Sequence, residues 1–282
     1  MLKLMYITNR PDIAQIAETA GADRIFVDME FIGKDKRQRG MDTVKSHHTV
    51  EDVRVIKNAV ETAEVLARVN PIHDALPDYP ASAAEIDATV EAGADIIILP
   101  YFKTAEEVRT FLELVGGRTR TMLLVETPEA VEHIDEILEL PGIDEVYIGL
   151  NDLSLGYHLP FMFQLLADGT VEQLCFKLRK KGIFFGFGGI ASIGEGRLPA
   201  EYIIREHYRL GSRCVILSRS FCDVAKVQHV GIINARFVKG VREIRELEAE
   251  CEKHASFFWD NEAELKKKVA DICEAMRSEA GK

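Results

Sequence analysis

Short apolar runs recur along the chain, and segments with the periodicity of amphipathic helices separate them. Within the runs the apolar residues are continuous rather than alternating, as in Ile96–Leu99, which is typical of parallel strands buried on both faces. The pattern predicts strands at Leu2–Thr8, Arg24–Asp28, Glu64–Val69, Asp95–Leu99, Thr121–Glu126, Glu145–Ile148, Gly182–Gly186 and Arg213–Leu217.

The segments between the strands carry start and stop signals of helices. Pro11 stands at the first position of a helix that ends before Gly21, and Thr104 with Glu107 forms a capping-box pattern. The predicted helices are Pro11–Ala20, Thr49–Glu61, Ser82–Glu91, Thr104–Val115, Pro128–Leu138, Val171–Lys180 and Pro199–Leu210. Alternating strands and helices over about 230 residues match a (β/α)8 TIM barrel. An open doubly wound sheet is the alternative, but the first strand lacks the glycine-rich loop that this fold places after it.

Near residue 236 the alternation of strand and helix patterns ends, and only helical patterns follow. Val238–His254 and Glu262–Ser278 are charged, amphipathic helical stretches on either side of the lone Trp259. We therefore expect a TIM-barrel catalytic domain over residues 1–235 and a C-terminal helical extension over residues 236–282. The extension would pack on the barrel or on a neighbouring subunit.

The composition of the chain argues against several classes of binding partner. The 282 residues carry a net charge of −11, and such an acidic chain lacks the basic face that nucleic acids and anionic membranes require. No apolar run approaches the ~20 residues of a membrane span, and the N-terminus lacks a signal-peptide pattern. The five cysteines form no C-x-x-C pair, which argues against a disulfide framework or a zinc site. We expect a cytoplasmic protein whose ligands are small molecules.

Two acidic residues directly follow predicted strands that are neighbours in the barrel. Glu126 ends the apolar run Met122–Val125, and Asp152 follows Val146–Asn151. In TIM barrels the carboxyl ends of the strands line the active site, so both carboxylates should point into one mouth. Carboxylates without histidine or cysteine beside them favour a hard cation such as Mg²⁺ or Mn²⁺. The alternative is that each residue caps the helix that follows it.

Arg68 lies at the end of another apolar strand and needs an anionic partner there. That partner would be Glu30 or Glu126 in a structural ion pair, or an oxygen of the substrate. Glu30, at the end of the second strand, is also a candidate for substrate binding.

The loop from Phe31 to Thr49 is long and highly charged. Long loops on the functional face of a barrel often carry function. By residue type, His47 and His48 are its acid–base candidates. The alternative is a solvated loop that touches the following helix.

Other strand ends complete the predicted site. Asn70, Asn151 and the backbone after Pro100 are candidates for binding the outer part of a substrate. Gly188 and Gly189 follow the seventh predicted strand. There they would approach the substrate or a phosphate group closely, or simply form tight turns.

Several segments together resemble successive motifs of the HpcH/HpaI aldolase and citrate lyase β-subunit family, in the same order, over roughly residues 2–220. The segments are Phe26–Glu30, Ala67–Asn70, Ile98–Glu107, Val125–Ala130 and Leu140–Ser154. The last of these is quite specific, whereas the others are individually modest.

The resemblance implies a TIM barrel, often with a C-terminal helix exchanged between subunits, and hence a homo-oligomer such as a trimer or hexamer. It implies that Glu126 and Asp152 bind Mg²⁺ or Mn²⁺. It also implies that Arg68 contacts the keto or enolate oxygen of a pyruvate-like group.

One position departs from the family pattern. Aldolases of the family carry a histidine immediately after the acidic motif of the second strand, where this chain has Phe31. Proton transfer would then fall to His47, His48 or a water on the metal.

The sequence therefore predicts a metal-dependent carbon–carbon lyase of the class II aldolase type. It would cleave or form a bond next to a 2-oxo acid, with an aldehyde as the other reactant, through a metal-stabilised enolate. One alternative is a citrate-lyase-like enzyme that acts on an acyl-CoA, with Lys103, Arg37 and Arg39 holding phosphates. Another is a barrel that binds a metabolite without catalysis.

Overall fold

A computed structural model describes residues 1–34, 48–227, 229–253 and 257–280. Eight parallel strands are hydrogen-bonded in chain order and close into a barrel, which confirms the predicted (β/α)8 fold with C-terminal helices. The strands are β1 (Lys3–Ile7), β2 (Arg24–Asp28), β3 (Glu64–Arg68), β4 (Ile96–Leu99), β5 (Arg120–Val125), β6 (Glu145–Ile148), β7 (Phe184–Ile190) and β8 (Cys214–Leu217).

Helices follow the strands along the chain. They are α1 (Pro11–Ala20), α2 (Val50–Ala59), α3 (Ser82–Glu91), α4 (Ala105–Val115), α5 (Pro128–Glu132), α6 (Ile134–Ile137), α7 (Leu150–Gly156), α8 (Gln164–Ala167), α9 (Thr170–Lys181), α10 (Ala200–Leu210), α11 (Val230–Lys253) and α12 (Phe257–Ala280). No helix in the described ranges is long and apolar enough to cross a membrane.

The contacts divide the chain into two compact units, Met5–Tyr147 and Met1–Leu4 with Ile148–Lys282. In the first unit, β2 pairs with β3 residue for residue, from Arg24 opposite Glu64 to Asp28 opposite Arg68. This register brings the two strands to the same level at both ends. The side chains at those ends are charged, while the residues between them are buried and apolar.

Ionic side chains close the amino-terminal ends of four strands in this unit. Arg24, the first residue of β2, is buried and donates two hydrogen bonds of 2.7 Å to Glu145 at the start of β6. It donates a third, of 2.8 Å, to Glu64 at the start of β3. Arg120 at the start of β5 pairs with the same two carboxylates. We call these four residues the basal ion ring.

The second unit contains β7, β8 and the C-terminal helices. The last helix, α12, packs on α8 and α10 of its own chain and buries Leu265, Val269 and Cys273. Asn261 donates a 2.9 Å hydrogen bond to the buried Glu206 of α10. Because α10 packs against β7 in the same unit, α12 belongs to that packed unit.

Most predicted elements agree with the observed ones to within two residues, including the Thr104–Glu107 capping box. The predicted helix Pro128–Leu138 is divided at His133 into α5 and α6. The strand β7 does not stop at Gly186 as predicted but continues to Ile190. An irregularity in its pairing with β8 between Gly186 and Gly189 accommodates the glycine-rich sequence within the strand.

Candidate active site

The carboxyl ends of β2 and β3 meet in a largely buried ion pair. Arg68 donates hydrogen bonds of 2.8 Å from Nε and from a terminal nitrogen to the two carboxylate oxygens of Asp28. The residue-for-residue register explains this, because Asp28 and Arg68 are the last residues of paired strands. A bidentate arginine–carboxylate pair fixes the plane of the guanidinium group.

Two further charges complete what we call the charge cluster: Asp28, Glu30, Lys34 and Arg68. Lys34 Nζ lies 2.8 Å from Asp28 Oδ2 and 3.7 Å from Glu30 Oε2. A terminal nitrogen of Arg68 lies 3.3 Å from Glu30 Oε2. The two carboxylates are almost completely buried, and they face two cations that are nearly as buried.

The electrostatics of the charge cluster follow from burial and pairing. Burial alone would raise the pKa of Asp28, but the positive charges of Arg68 and Lys34 hold it well below its usual range. Burial likewise would lower the pKa of Arg68, but Asp28, Glu30 and Glu126 raise it well above its usual value. The cluster is therefore ionised throughout the physiological pH range at these two positions.

His48 lies beside the same strand end. The backbone N–H of Asp28 donates a 3.0 Å hydrogen bond to His48 Nδ1. The backbone N–H of Thr8 donates to the backbone oxygen of Phe26 in β2. Two residues further along β2, the N–H of Asp28 donates to the side chain of His48 instead of to a strand. Since Nδ1 is an acceptor, the neutral ring carries its proton on Nε2.

Asn70 connects the loops that follow β2 and β3. Its Oδ1 accepts hydrogen bonds of 2.9 Å from the backbone of both Phe31 and Ile32. Its Nδ2 donates at 2.8 Å to Glu85, and burial raises the pKa of that carboxyl group. The amide is thus engaged on both sides in holding the loop that carries Phe31. The ring of Phe31 packs edge-on against Tyr79 with 4.8 Å between centroids.

Glu126 follows β5 and is 2% exposed. Its Oε1 accepts a 3.0 Å hydrogen bond from the backbone N–H of Tyr101. Tyr101 comes directly after the buried Pro100 and has a φ of +49°, a conformation that non-glycine residues seldom adopt. Such strain is often found at functional sites, and here it turns a backbone donor towards the Glu126 carboxylate.

The remaining predicted residues belong to the second unit. Asn151 and Asp152 are half-buried in the first turn of α7, where Asp152 is the acidic residue. Gly188 in β7 has a φ of +59°, and a Cβ atom there would lie 2.8 Å from Leu150 Cδ1. Gly189 approaches the backbone oxygen of Ile216 in β8. The backbone conformation at position 188 therefore favours glycine independently of any ligand.

The donors fit a hard cation in type. Within the described ranges, no group of three or more His, Cys, Asp or Glu side chains is arranged to hold a metal. Mg²⁺ is usually held by only one or two carboxylates, and water and substrate oxygens fill its other positions. In chemical type, the carboxylates of Glu126 and of Asp152 are ligands that such a cation takes.

Some predicted residues lie outside the described ranges or have other partners. His47, Arg37 and Arg39 lie outside the described residues. Lys103 was predicted to hold a phosphate if the substrate were an acyl-CoA. Its ammonium group donates a 2.8 Å hydrogen bond to Glu129, so it already has a carboxylate partner.

Sequence reasoning placed Asp28 at the end of a strand but gave it no role, and it did not predict that Lys34 belongs to the cluster. The signal for Asp28 was available: it ends an entirely buried strand, Arg24–Asp28, and a carboxylate there is costly unless it is paired. The same argument had selected Glu126. Lys34 gave no such signal, because a lysine in a charged loop is normally solvated.

The family model described as HpcH/HpaI aldolase/citrate lyase matches residues 3–159, which include the charge cluster, His48, Glu126 and Asp152. The matched segment covers more than half of the chain.

Individual proteins with similar sequences are aldolases. A hydroxypyruvate/pyruvate aldolase of Sagittula stellata is 26% identical over 234 residues, which are 67% of this chain and 78% of the relative. A 2-keto-3-deoxy-L-rhamnonate aldolase of Escherichia coli is 24% identical over 177 residues, 51% of this chain and 58% of that protein.

A similar solved structure supports the fold. The crystal structure of an HpcH/HpaI aldolase from Desulfitobacterium hafniense superimposes with a TM-score of 0.57 at 20% identity. The match covers 87% of this chain and 93% of the other.

Proposed function

Because the chain belongs to the HpcH/HpaI aldolase/citrate lyase family, we propose that it is a carbon–carbon lyase that acts on a pyruvate-like 2-oxo acid and an aldehyde. We propose further that it depends on Mg²⁺ or Mn²⁺. When bound, such a cation supplies Lewis-acid polarisation of the keto oxygen.

One observation carries the proposal. Arg68 is a cation with a side chain only 13% exposed, and it lies at the carboxyl end of β3, where TIM barrels hold their active sites. Asp28 fixes its guanidinium plane, and Glu126, the candidate metal ligand, lies close enough to raise the pKa of Arg68. An arginine with a candidate metal ligand nearby suits an anionic substrate that also binds the metal, because the arginine can pair with one oxygen while the metal binds another.

In the proposed reaction, the residues of the chain bind and orient the substrate. Glu126 and Asp152 would hold the cation. In the cleavage direction, the C4 hydroxyl would pass its proton to His47 or to a water molecule. The C3–C4 bond would then break, C4 would become the aldehyde carbon, and the electron pair of the broken bond would form the C2–C3 double bond. Negative charge then builds on the keto oxygen, and Arg68 would stabilise it where it develops.

His48 would act as a neutral hydrogen-bond donor rather than as a base. Its Nδ1 already accepts a hydrogen bond from Asp28, so protonation of Nδ1 would break that bond. In the neutral ring the proton is on Nε2, so the proposed role of His48 is donation from this nitrogen to an oxygen of the substrate or product. Asn70 would not contact the substrate itself but would hold in place the loop that follows Glu30.

The proposal is tested by exchange of pyruvate methyl protons in D₂O, followed by NMR. We expect exchange with Mn²⁺ or Mg²⁺, none after treatment with EDTA, and recovery when metal is restored. Glu126→Gln should bind Mn²⁺ at least about tenfold more weakly, because a neutral amide replaces a charged ligand.

The matched control is Glu129→Gln, which changes a nearby carboxylate that is 44% exposed and paired with Lys103. Its metal affinity should equal that of the wild type. Exchange that persists without any metal would refute the metal dependence. Metal-dependent pyruvate binding without exchange would favour the non-catalytic barrel.

A further inference from the structure

Lys34 is a buried lysine to which the proposed reaction gives no role. Its side chain is 6% exposed, and lysine is almost never so buried unless it is paired. Here its ammonium group lies 2.8 Å from Asp28 Oδ2 and 3.7 Å from Glu30 Oε2. Since burying a charge is costly, the geometry calls for a physical explanation.

The explanation lies in the charge balance around Arg68. Two carboxylates, Asp28 and Glu30, surround this one guanidinium group, and Glu126 acts on it from further away. Without Lys34, the carboxylates of the cluster would outnumber its cations. The guanidinium group would then sit in a negative environment and attract an anionic substrate poorly.

We propose that Lys34 is a positioning residue that balances the charge cluster, so that an anionic 2-oxo acid can bind Arg68 beside a dication. This inference rests on the proposed function. It implies that loss of the lysine weakens binding of the anion without weakening binding of the cation. Its positive charge favours the anion and disfavours the cation, whereas a purely structural lysine would affect both ligands in the same direction.

The experiment measures two dissociation constants for each variant. Mn²⁺ binding to the metal-free protein is followed by electron paramagnetic resonance. Binding of oxalate, a planar dianion, to the Mn²⁺-saturated protein is followed by calorimetry. For Lys34→Met we expect about tenfold weaker oxalate binding, with Mn²⁺ binding unchanged or tighter. Lys34→Arg, which keeps the charge, should restore oxalate binding to within about threefold of the wild type.

Two more variants test whether the effect of Lys34→Met comes from the charge balance of the cluster. Lys57→Met is the matched control, because Lys57 is also paired with a carboxylate, Asp95, at 2.7 Å, but lies outside the cluster. Both of its constants should equal those of the wild type. The double variant Lys34→Met/Glu30→Gln removes one charge of each sign, so oxalate affinity should recover. This variant also serves if Lys34→Met alone does not fold.

The outcomes are distinct. Weaker oxalate binding without weaker Mn²⁺ binding in Lys34→Met, or recovery of oxalate binding in the double variant, supports the inference. Wild-type constants in a folded Lys34→Met, equal weakening of both ligands, or a double variant that stays weak would overturn it while the proposed function stands. A wild-type protein that does not bind Mn²⁺ would overturn the proposed function, and the inference with it.

Discussion

Arg68 is held by carboxylates on the side that faces β2. Asp28 accepts two of its hydrogen bonds, and Glu30 lies within ion-pair distance of a third nitrogen. A guanidinium group that is fixed in this way loses little freedom when it binds a substrate, so its charge is pre-organised for the reaction.

Arg68→Lys tests this at the scale of one residue. Lysine keeps the charge but not the planar fork, so we expect kcat to fall about a hundredfold, with a smaller change in KM. Steady-state kinetics with pyruvate and an aldehyde would measure it. Arg118→Lys, in an exposed pair with Asp87, should behave as the wild type. An unchanged kcat in Arg68→Lys would remove Arg68 from the mechanism.

Some residues of the site could be predicted from sequence and others could not. Arg68 was recognisable because an arginine at the end of an apolar strand must be paired, and Glu30 was named as one possible partner. The stronger partner, Asp28, depends on the register of β2 against β3, which the sequence does not state. His48 was predicted by residue type, but its contact with the Asp28 backbone, and so its tautomer, required coordinates.

The elements of the first unit are joined at their amino-terminal ends by the basal ion ring. Four strands each contribute their first residue, and charges of opposite sign alternate around the ring. Arg24 is the most buried member, and its guanidinium group contacts both carboxylates. We expect this network to contribute to stability rather than to catalysis, because TIM barrels hold their active sites at the other end of the barrel.

Arg24→Met should destabilise the protein by about 3–5 kcal/mol, because it leaves Glu145 buried without its main partner. Urea unfolding would measure the change. Arg109→Met, which removes a half-exposed pair with Glu106, should cost less than about 1 kcal/mol. A second change, Glu145→Gln, should recover part of the loss in Arg24→Met; full additivity would contradict a direct coupling.

The limits of element prediction also have physical causes. Continuous apolar runs identified the strands because both faces of a barrel strand are buried. The run in β7 is interrupted by glycines that the irregular pairing with β8 requires, so the sequence predicted an early end. The basal ion ring was not predicted at all, since its members are about 25 to 121 residues apart along the chain.

At the scale of the whole molecule, the C-terminal helices leave apolar side chains in solvent. Trp259 on α12 is 77% exposed, and Val230, Ile232 and Val238 on α11 are about half-exposed. Large exposed apolar groups often mark contacts with other chains. We propose that these helices pair with a second copy of the chain in a homo-oligomer.

Light scattering coupled to gel filtration tests the assembly. We expect a mass of three or six times 31.6 kDa. Trp259→Ala should shift the equilibrium towards smaller species, because the exposed indole offers a large apolar contact area. Phe176→Ala, on α9 and 60% exposed, is the control for a surface aromatic elsewhere. A mass of 31.6 kDa at micromolar concentration would contradict the proposal.

The strand β2 is only five residues long, yet ionic contacts anchor it at both of its ends. Arg24 belongs to the basal ion ring and Asp28 to the charge cluster. A slip of one residue against β3 would turn every side chain of β2 to the opposite face and separate both sets of partners at once. A barrel with this shifted register would therefore lose ion pairs at both ends of β2 and be less stable. The register that keeps both sets of ion pairs is also the one that places Asp28 beside Arg68.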